Sequence, residues 1–427
     1  MTLTRTSRGL DPLLLVGAGG PAFVYREFSL ARLSAHPVIL ADSAPPDWAR
    51  SYLTHHIAAD LTDSESTAAA VKAHAAQHHV AGVVAYMEHH VVLAAELAHL
   101  LNLPGSSPAS MAAARDKAQS RRLFAEHGVP SARSLQAVDA DEAVAHAELL
   151  GYPVVVKPRG LAGSAGVVRA DNVAQARAAF TRASVETVLD LDQYAVPGVL
   201  VEEYLSGPEI SAETVVLGPG ETRIVAVTRK QLGPQPTFQE YGHTVDARDD
   251  LLHDPDLANV VAAAAEALDI TLGVLHVELR LTADGPRIIE VNARVGGDLI
   301  PLLVHAATGI DLLRVAAAIA TGATPDLQPR RQQAAAIRFA YPTVTGTIEQ
   351  LSVPHAIVRR AHTERYVWTR QVGDPVSAPP HASISDRLAH WVVLGSDAAD
   401  CNLRADLVAR HLTASISGPV TTTSCAR

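Results

Sequence analysis

The residues with the clearest chemical content lie in LHVELRLTADGPRIIEVNARVGG, residues 275–297, where two runs of alternating apolar residues flank Ala-Asp-Gly. This pattern predicts a β-hairpin. If Ala283, Asp284 and Gly285 form a three-residue loop, Thr282 pairs with Pro286 and Glu278 faces Glu290 across the ladder. Asn292 and Arg294 then follow Glu290 on the same face, because strand side chains alternate. Facing like charges are unfavourable, so the arrangement calls for a cation between them. Two carboxylates and an amide oxygen are hard ligands of the kind Mg²⁺ takes, usually shared with substrate phosphates. A hairpin with one polar solvent face accounts for Glu278 and Arg280. It accounts less well for Glu290, Asn292 and Arg294 lined up immediately before Gly-Gly.

Two further stretches suit a phosphate-bearing substrate. In GLAGSAG, residues 160–166, glycines let successive backbone amides approach an anion. Lys157 ends the buried-looking strand before that loop, where a lysine is costly unless it meets an anion. No GxxxxGK[ST] string occurs and the loop joins strand to strand, so this is not a P-loop. VEEYLSGPE then supplies Glu202, Glu203 and Glu209 at the end of an apolar run. A solvated strand end is the plain reading of these acids. The chemical one sets Glu202 and the following backbone at an adenine edge and Glu209 on ribose hydroxyls.

The elements that must position these groups follow from patterning. Residues 13–42 read strand, glycine turn, helix, strand, and AGVVAY adds a strand, so the chain opens as a parallel α/β layer. A linker near 104–108 precedes SMAAARDKAQSRRLFAEHGVP, read as one helix with Ser110 as N-cap. Further helices are expected at 140–150, 256–268, 308–322 and 398–414, with a β-leaning tail after Pro325. The resulting division is 1–107, 108–325 (lid about 125–200, nucleotide and metal site about 200–325) and 326–427.

Composition excludes several classes. The 427 residues are 48% hydrophobic and 19% charged, an ordinary globular balance. A formal charge of -10 argues against nucleic-acid binding. The only cysteines, Cys401 and Cys425, build no disulfide framework or thiolate metal site, which fits a reducing cytoplasm. Arg5 and Arg8 precede too short an apolar run for a secretory leader. No stretch approaches the roughly 20 apolar residues of a membrane span.

In this order, RDK, VVVKP with its glycine loop, VEEYLSGPE and E…EVNARVGGD resemble the ATP-grasp superfamily across about residues 80–325. The strings KQLGPQPTFQEYGH and HVELRLTADG…IIEVNAR are most similar to bacterial L-amino acid ligases, which make dipeptides, often for specialised metabolites such as antibiotics. The resemblance implies an N-terminal parallel α/β domain, a central lid plus large domain, and a small β-rich C-terminal domain. It implies that Lys117 and Lys157 contact ATP phosphates under a loop containing Gly163, Ser164 and Gly166. Glu202, Glu203 and Leu205 would meet adenine, and Glu209 the ribose. Glu278, Glu290 and Asn292 would hold one or two Mg²⁺, for which Mn²⁺ can substitute. Arg294 and Gly297 would attend the substrate carboxylate, Glu88 and His243 would line the substrate pocket, and Lys230 and His276 would assist catalysis. The implied reaction joins a carboxylate, of an amino acid, to an amine through an acyl phosphate, with ATP becoming ADP and phosphate. The implied partners are small carboxylates and amines, without nucleic acid or membrane, in a cytoplasmic homodimer.

Three other readings compete. A carboxylase of the biotin-dependent or purine type would also place groups at Arg294 and Asp298, but its glycine loop is usually longer and nearly all glycine. GAGGPAF with Asp42 downstream suggests a dinucleotide fingerprint of a nicotinamide-dependent dehydrogenase, yet Ala22 stands where the third glycine belongs. The pairs His55-His56, His78-His79 and His89-His90 suggest metal binding, but adjacent residues point apart and surface placement is the default.

Overall fold

A computed structural model of the chain describes residues 10–20, 25–161, 163–186 and 196–418. Arg5, Arg8, Ala22, Cys425 and the Ser/Thr-rich end lie outside the described residues. Four parallel strands open the fold: β1 (Leu13–Val16), β2 (Val38–Asp42), β3 (His55–Ala58) and β4 (Gly82–Val84), ordered β3-β2-β1-β4. All of β1 is buried, as expected of a continuous apolar run in a parallel sheet covered on both faces. Asp42 accepts from the Ala18 and Ser43 amides, so its carboxylate braces the glycine turn of its own chain.

A second, antiparallel sheet forms the lid, ordered β5-β8-β6-β7 from β5 (Ser134–Ala137), β6 (Val154–Pro158), β7 (Val168–Ala170) and β8 (Val199–Glu203). Its apolar face packs on alanines of the helices Ala140–Leu150 and Val173–Val185. The floor is an eight-stranded antiparallel sheet, β13-β12-β9-β10-β11-β14-β18-β16. It begins with β9 (Glu209–Val216), β10 (Thr222–Leu232), β11 (Glu240–Asp246), β12 (Gly273–Thr282) and β13 (Gly285–Asn292). After residue 325 come β14 (Ala334–Ala340), β15 (Gly346–Ser352), β16 (Thr363–Trp368), β17 (Pro375–Val376), β18 (Ala389–Gly395) and β19 (Thr413–Ser417). The tail thus extends the floor through β14, β18 and β16 and adds a small β17-β15-β19 sheet. A parallel α/β layer followed by antiparallel sheets is the fold class expected.

The structure corrects several local expectations. The single helix expected within residues 110–130 is two, Pro108–Arg115 and Lys117–Glu126, broken where Asp116 turns extended and caps the second. Its N-cap is Ser107, not Ser110, because the chain enters the helix at Pro108. The helix expected at 308–322 is Leu312–Ala320, preceded by an unexpected helix Ile300–Thr308 that Gly309 terminates in the left-handed region. The last helix stops at Ala409, and β19 follows instead of further turns. No single helix among the described residues is long and apolar enough to cross a membrane.

The hairpin carries the most consequential difference. Its turn has two central residues, with Thr282 opposite Gly285 and Leu281 opposite Pro286. That register alone would set Glu278 opposite Ile289. A β-bulge between Glu278 and Leu279 absorbs the extra residue, so Glu278 faces Glu290 after all. Ile288 and Val291 both lie in the core, three residues apart, so the bulge also resets which face Glu290 takes.

Gly207 lies where the lid strand β8 hands over to β9. Its φ is +130°, and a Cβ there would collide with the Leu281 carbonyl, whereas Gly128 (φ +68°) has nothing within 4 Å of an added Cβ. Gly207→Ala should lower unfolding free energy by more than about 3 kcal/mol, through strain plus the collision. Gly128→Ala should cost only about 1 kcal/mol, from its left-handed backbone. Denaturant titration of both variants checks the contrast.

Candidate active site

The floor of the cleft is polar where the core side of the same strands is apolar. Glu278 on β12 faces Glu290 on β13, and His276 faces Asn292. Glu278 Oε1 lies 3.2 Å from His276 Nε2 and 3.1 Å from Lys230 Nζ. Lys230, from β10, is almost fully buried and also reaches Glu240 at 2.8 Å and Glu209 at 3.4 Å. Burial alone would lower this lysine, but the three carboxylates hold it well above the ordinary range. Glu209 is left with the shortfall: burial raises its carboxyl, and Glu278 adds to that, despite Arg280 at 3.0 Å. His276 donates to Glu213 as well as to Glu278, and these acids outweigh its burial and push it up to about 9. His276 is therefore an imidazolium, with both ring nitrogens protonated.

The lid contributes the opposite charge. Lys157 at the end of β6 lies 2.6 Å from Glu202, which also receives a bidentate pair of bonds from Arg121 at 2.8 and 3.1 Å. Burial would raise Glu202, but the two cations bring it down to about 2. Lys157 is nonetheless lowered: burial dominates, and repulsion from Arg121 and Lys117 works against the attraction of Glu202. It stands short of negative charge. Lys117, next along, is 3.0 Å from Glu290 and donates to the Leu161 carbonyl of the glycine loop at 2.7 Å. That loop runs through left-handed backbone at Gly163 (φ +69°), Ser164 (+57°) and Gly166 (+68°), which exposes amides rather than side chains.

At the far end, Arg294 Nε and Glu88 Oε2 lie 2.8 Å apart, yet neither atom has an aligned hydrogen-bond partner among the described residues. Arg294 also bonds the Val295 carbonyl and Asn292 Oδ1. The buried Arg26 joins them, donating to the Gly296 carbonyl while its Nε likewise lacks a partner. A third cluster sets Glu240, His243 and Asp298 with donor atoms within 4.8 Å of one another. Arg387 occupies both Asp298 oxygens at 2.7 and 2.8 Å and lies 3.7 Å from the Phe339 ring centre, so this cluster is neutralised from within.

One cleft is lined by Lys117, Lys157, Gly163, Ser164, Glu202, Glu203, Leu205, Glu209, Glu88, His243, His276, Glu278, Glu290, Asn292, Arg294 and Gly297, all anticipated from sequence. Lys230 sits just beneath its floor, and Gly166 packs against Pro158 at the loop base. The adenine-edge role expected of Glu202 meets a carboxylate committed to Arg121 and Lys157, and Glu203 is tied to Arg133 and Arg287. The third histidine pair is no surface feature, since His90 is buried and His89 lines the cleft. Sequence reasoning missed Arg121, Glu213, Glu240 and Arg387. Glu213 did leave a trace, a lone acid in the apolar run SAETVV; the others gave none at short range. The oxygen-only set Glu278, Glu290 and Asn292, now balanced by Lys230, His276 and Lys117, fits a hard divalent cation.

Residues 150–301 match the ATP-grasp domain and residues 32–105 the ATP-grasp N-terminal domain. An uncharacterised Sinorhizobium fredii protein, y4rH, is 29% identical over 334 residues, covering 76% of this chain and 66% of that one. Human carnosine synthase 1 is 31% identical over 363 residues, covering 77% of this chain and 42% of the enzyme. The chain thus spans less than two thirds of the length of these relatives. The crystal structure of an L-amino acid ligase from Bacillus licheniformis superposes with a TM-score of 0.78 at 22% identity, covering 96% of this chain and 100% of that one.

The Glu202 cluster has a pH signature. Its folded value of about 2 lies below the unfolded carboxyl near about 4.3, so its contribution is complete above that value and disappears as pH falls towards 2. Glu202→Gln should cost about 3–5 kcal/mol near neutrality by leaving two buried cations unpaired. Thermal unfolding should show the gap between parent and variant shrinking below pH of about 4.3; a constant gap would refute the assignment.

Proposed function

This chain is an ATP-grasp protein, and from that premise we propose that it is an ATP-dependent carboxylate–amine ligase that activates an amino acid as its acyl phosphate and joins it to an amine. One observation carries this reading: phosphate-seeking cations, a hard-oxygen set and the Arg294–Glu88 ion pair open onto a single cleft. Arg294 and Glu88 are of opposite charge, and Arg294 Nε and Glu88 Oε2 lack an aligned hydrogen bond among the described residues, a pattern suited to the carboxylate and ammonium of one amino acid.

The chemistry follows from these positions. Lys157 and Lys117 hold the phosphates of ATP, and the 160–166 backbone covers them and excludes water. Glu278, Glu290 and Asn292 would hold Mg²⁺, which would supply charge neutralisation at the transferring phosphoryl group. Arg294 orients the acid so that a carboxylate oxygen attacks the γ-phosphorus and ADP leaves. The amine then attacks the acyl carbon, loses a proton and expels phosphate, giving the amide. Lys230 and His276 keep the floor cationic enough to tolerate the phosphates, in line with stabilisation by preorganised charge. Water exclusion protects the acyl phosphate from hydrolysis. A role in specialised metabolism suits this reading.

Two measurements test it. With Mg²⁺-ATP and hydroxylamine, one acid of an amino-acid panel should yield a hydroxamate with stoichiometric ADP; ADP release driven by bicarbonate alone would indicate a carboxylase instead. Glu290→Gln should reduce kcat at least about 100-fold, since even indirect supporters of a metal ligand cost 10–100-fold. Near-parental turnover would remove Glu290 from the metal set.

A further inference from the structure

One buried acid takes no part in the reaction as derived. Glu213 lies mid-strand in β9 with no solvent exposure and stands opposite His276 in the β9–β12 ladder. Both of its oxygens lie 3.1 Å from His276 Nδ1, and Oε1 also accepts from Ser211 Oγ at 2.7 Å and Thr228 Oγ1 at 3.1 Å. The opposite ring nitrogen, Nε2, meets Glu278 Oε1 at 3.2 Å, the same oxygen that Lys230 approaches. A central strand facing a packed core would be filled more cheaply by an apolar residue, because a buried carboxylate needs every bond it can find. Here it finds four donor contacts, from three neighbouring side chains on β9, β10 and β12.

The geometry restricts the imidazole. A histidine donating from one nitrogen alone could swing about its side-chain torsions, whereas one clamped at Nδ1 presents Nε2 in a single direction. Second-layer carboxylates orient metal-ligating histidines in this way. Here the histidine lies between two carboxylates and steers the outer one. A Cβ added at Gly296 would lie 3.1 Å from His276 Nδ1, so the glycine keeps the space beside the ring clear. We propose that Glu213 is a positioning residue for the metal carboxylate Glu278, acting through His276, which occupies Glu278 Oε1 and turns the rest of the carboxylate towards the cation. This rests on the reading above that Glu278 is a ligand of the divalent ion.

The test uses Mn²⁺ binding to the full-length protein with ADP, followed by electron paramagnetic resonance of the free ion, beside steady-state kinetics. Glu213→Gln keeps the shape but loses the carboxylate clamp. It should weaken Mn²⁺ binding 10–100-fold and raise the Mg²⁺ concentration for half-maximal rate in parallel. KM for the acid should stay within about twofold, since Glu213 touches no substrate group. Unchanged Mn²⁺ affinity with a lowered melting temperature would make Glu213 merely structural and overturn the proposal. Glu278→Gln separates the two claims. If it too leaves Mn²⁺ binding intact, the ligand assignment fails; if it weakens binding while Glu213→Gln does not, only the positioning role fails. Should Glu213→Gln not fold, Glu213→Asp carries the same comparison, with a smaller loss expected because the carboxylate charge is kept. His276→Gln and the double variant Glu213→Gln/His276→Gln close the cycle. A residue acting only through His276 adds nothing once His276 is gone, so additive losses would also overturn it.

Discussion

Two glutamates facing each other across a ladder are the constraint around which the floor is built. Glu278 and Glu290 repel, and they do so where burial weakens screening by water. The protein answers with side-chain cations from different strands and helices: Lys230 and His276 for Glu278, and Lys117 for Glu290. Each of those cations needs anions of its own, so Glu209, Glu240 and Glu213 are drawn in behind them. The outcome is an alternating arrangement of acids and bases across β9 to β13. On the proposed reading, a divalent cation and polyphosphate enter as a pair of opposite charges. Glu290 would then be shared between Lys117 and the cation, and Lys117 would supply charge for a phosphate.

The lid repeats the principle with the sign reversed. Arg121 and Lys157 share Glu202, and Lys157 sits below an ordinary lysine although it is ion-paired, chiefly because it is buried and further because Arg121 and Lys117 repel it. An excess of buried positive charge beside a loop of exposed amides is a demand for an anion. Lid and floor meet in VEEYLSGPE: Glu203 ends β8, Glu209 starts β9, and Arg280 on β12 donates to the Gly207 carbonyl between them. The motif reads as a string in sequence because it is the physical hinge between the two charge systems.

How much of this was legible in the sequence depended on range. Strand–loop–strand motifs, the facing glutamates and the lysine of the lid strand are local signals, and the structure gathers those residues in one cleft. The hairpin shows how a local signal can succeed by a different route. A three-residue loop and a two-residue turn with a downstream bulge both pair Glu278 with Glu290, and alternation alone does not distinguish them. Arg121 was invisible because its partner Glu202 is 81 residues away. Arg387 was further still, 89 residues from Asp298, in a stretch whose only local signal was turn chemistry. Buried counter-charges are chosen by tertiary neighbours, so spacing along the chain carries little of that information.

Arg387 also settles how much of the chain the site requires. The backbone after β13 passes through Asp298 (φ +50°) and Leu299 (+60°), two consecutive non-glycine residues in the left-handed region. Such conformations cost on the order of 1–3 kcal/mol each and persist only where surroundings enforce them. The enforcement comes from both sides. Arg26, from the parallel N-terminal layer, holds the Gly296 carbonyl, and Arg387, from the tail just before β18, holds both Asp298 oxygens while braced by the Tyr341 hydroxyl. The turn that carries Arg294 and Gly297 into the cleft is therefore pinned by groups outside residues 150–301. The matched domain supplies most of the candidate site, but the strained backbone that follows Arg294 and Gly297 is held by the segments before and after that domain.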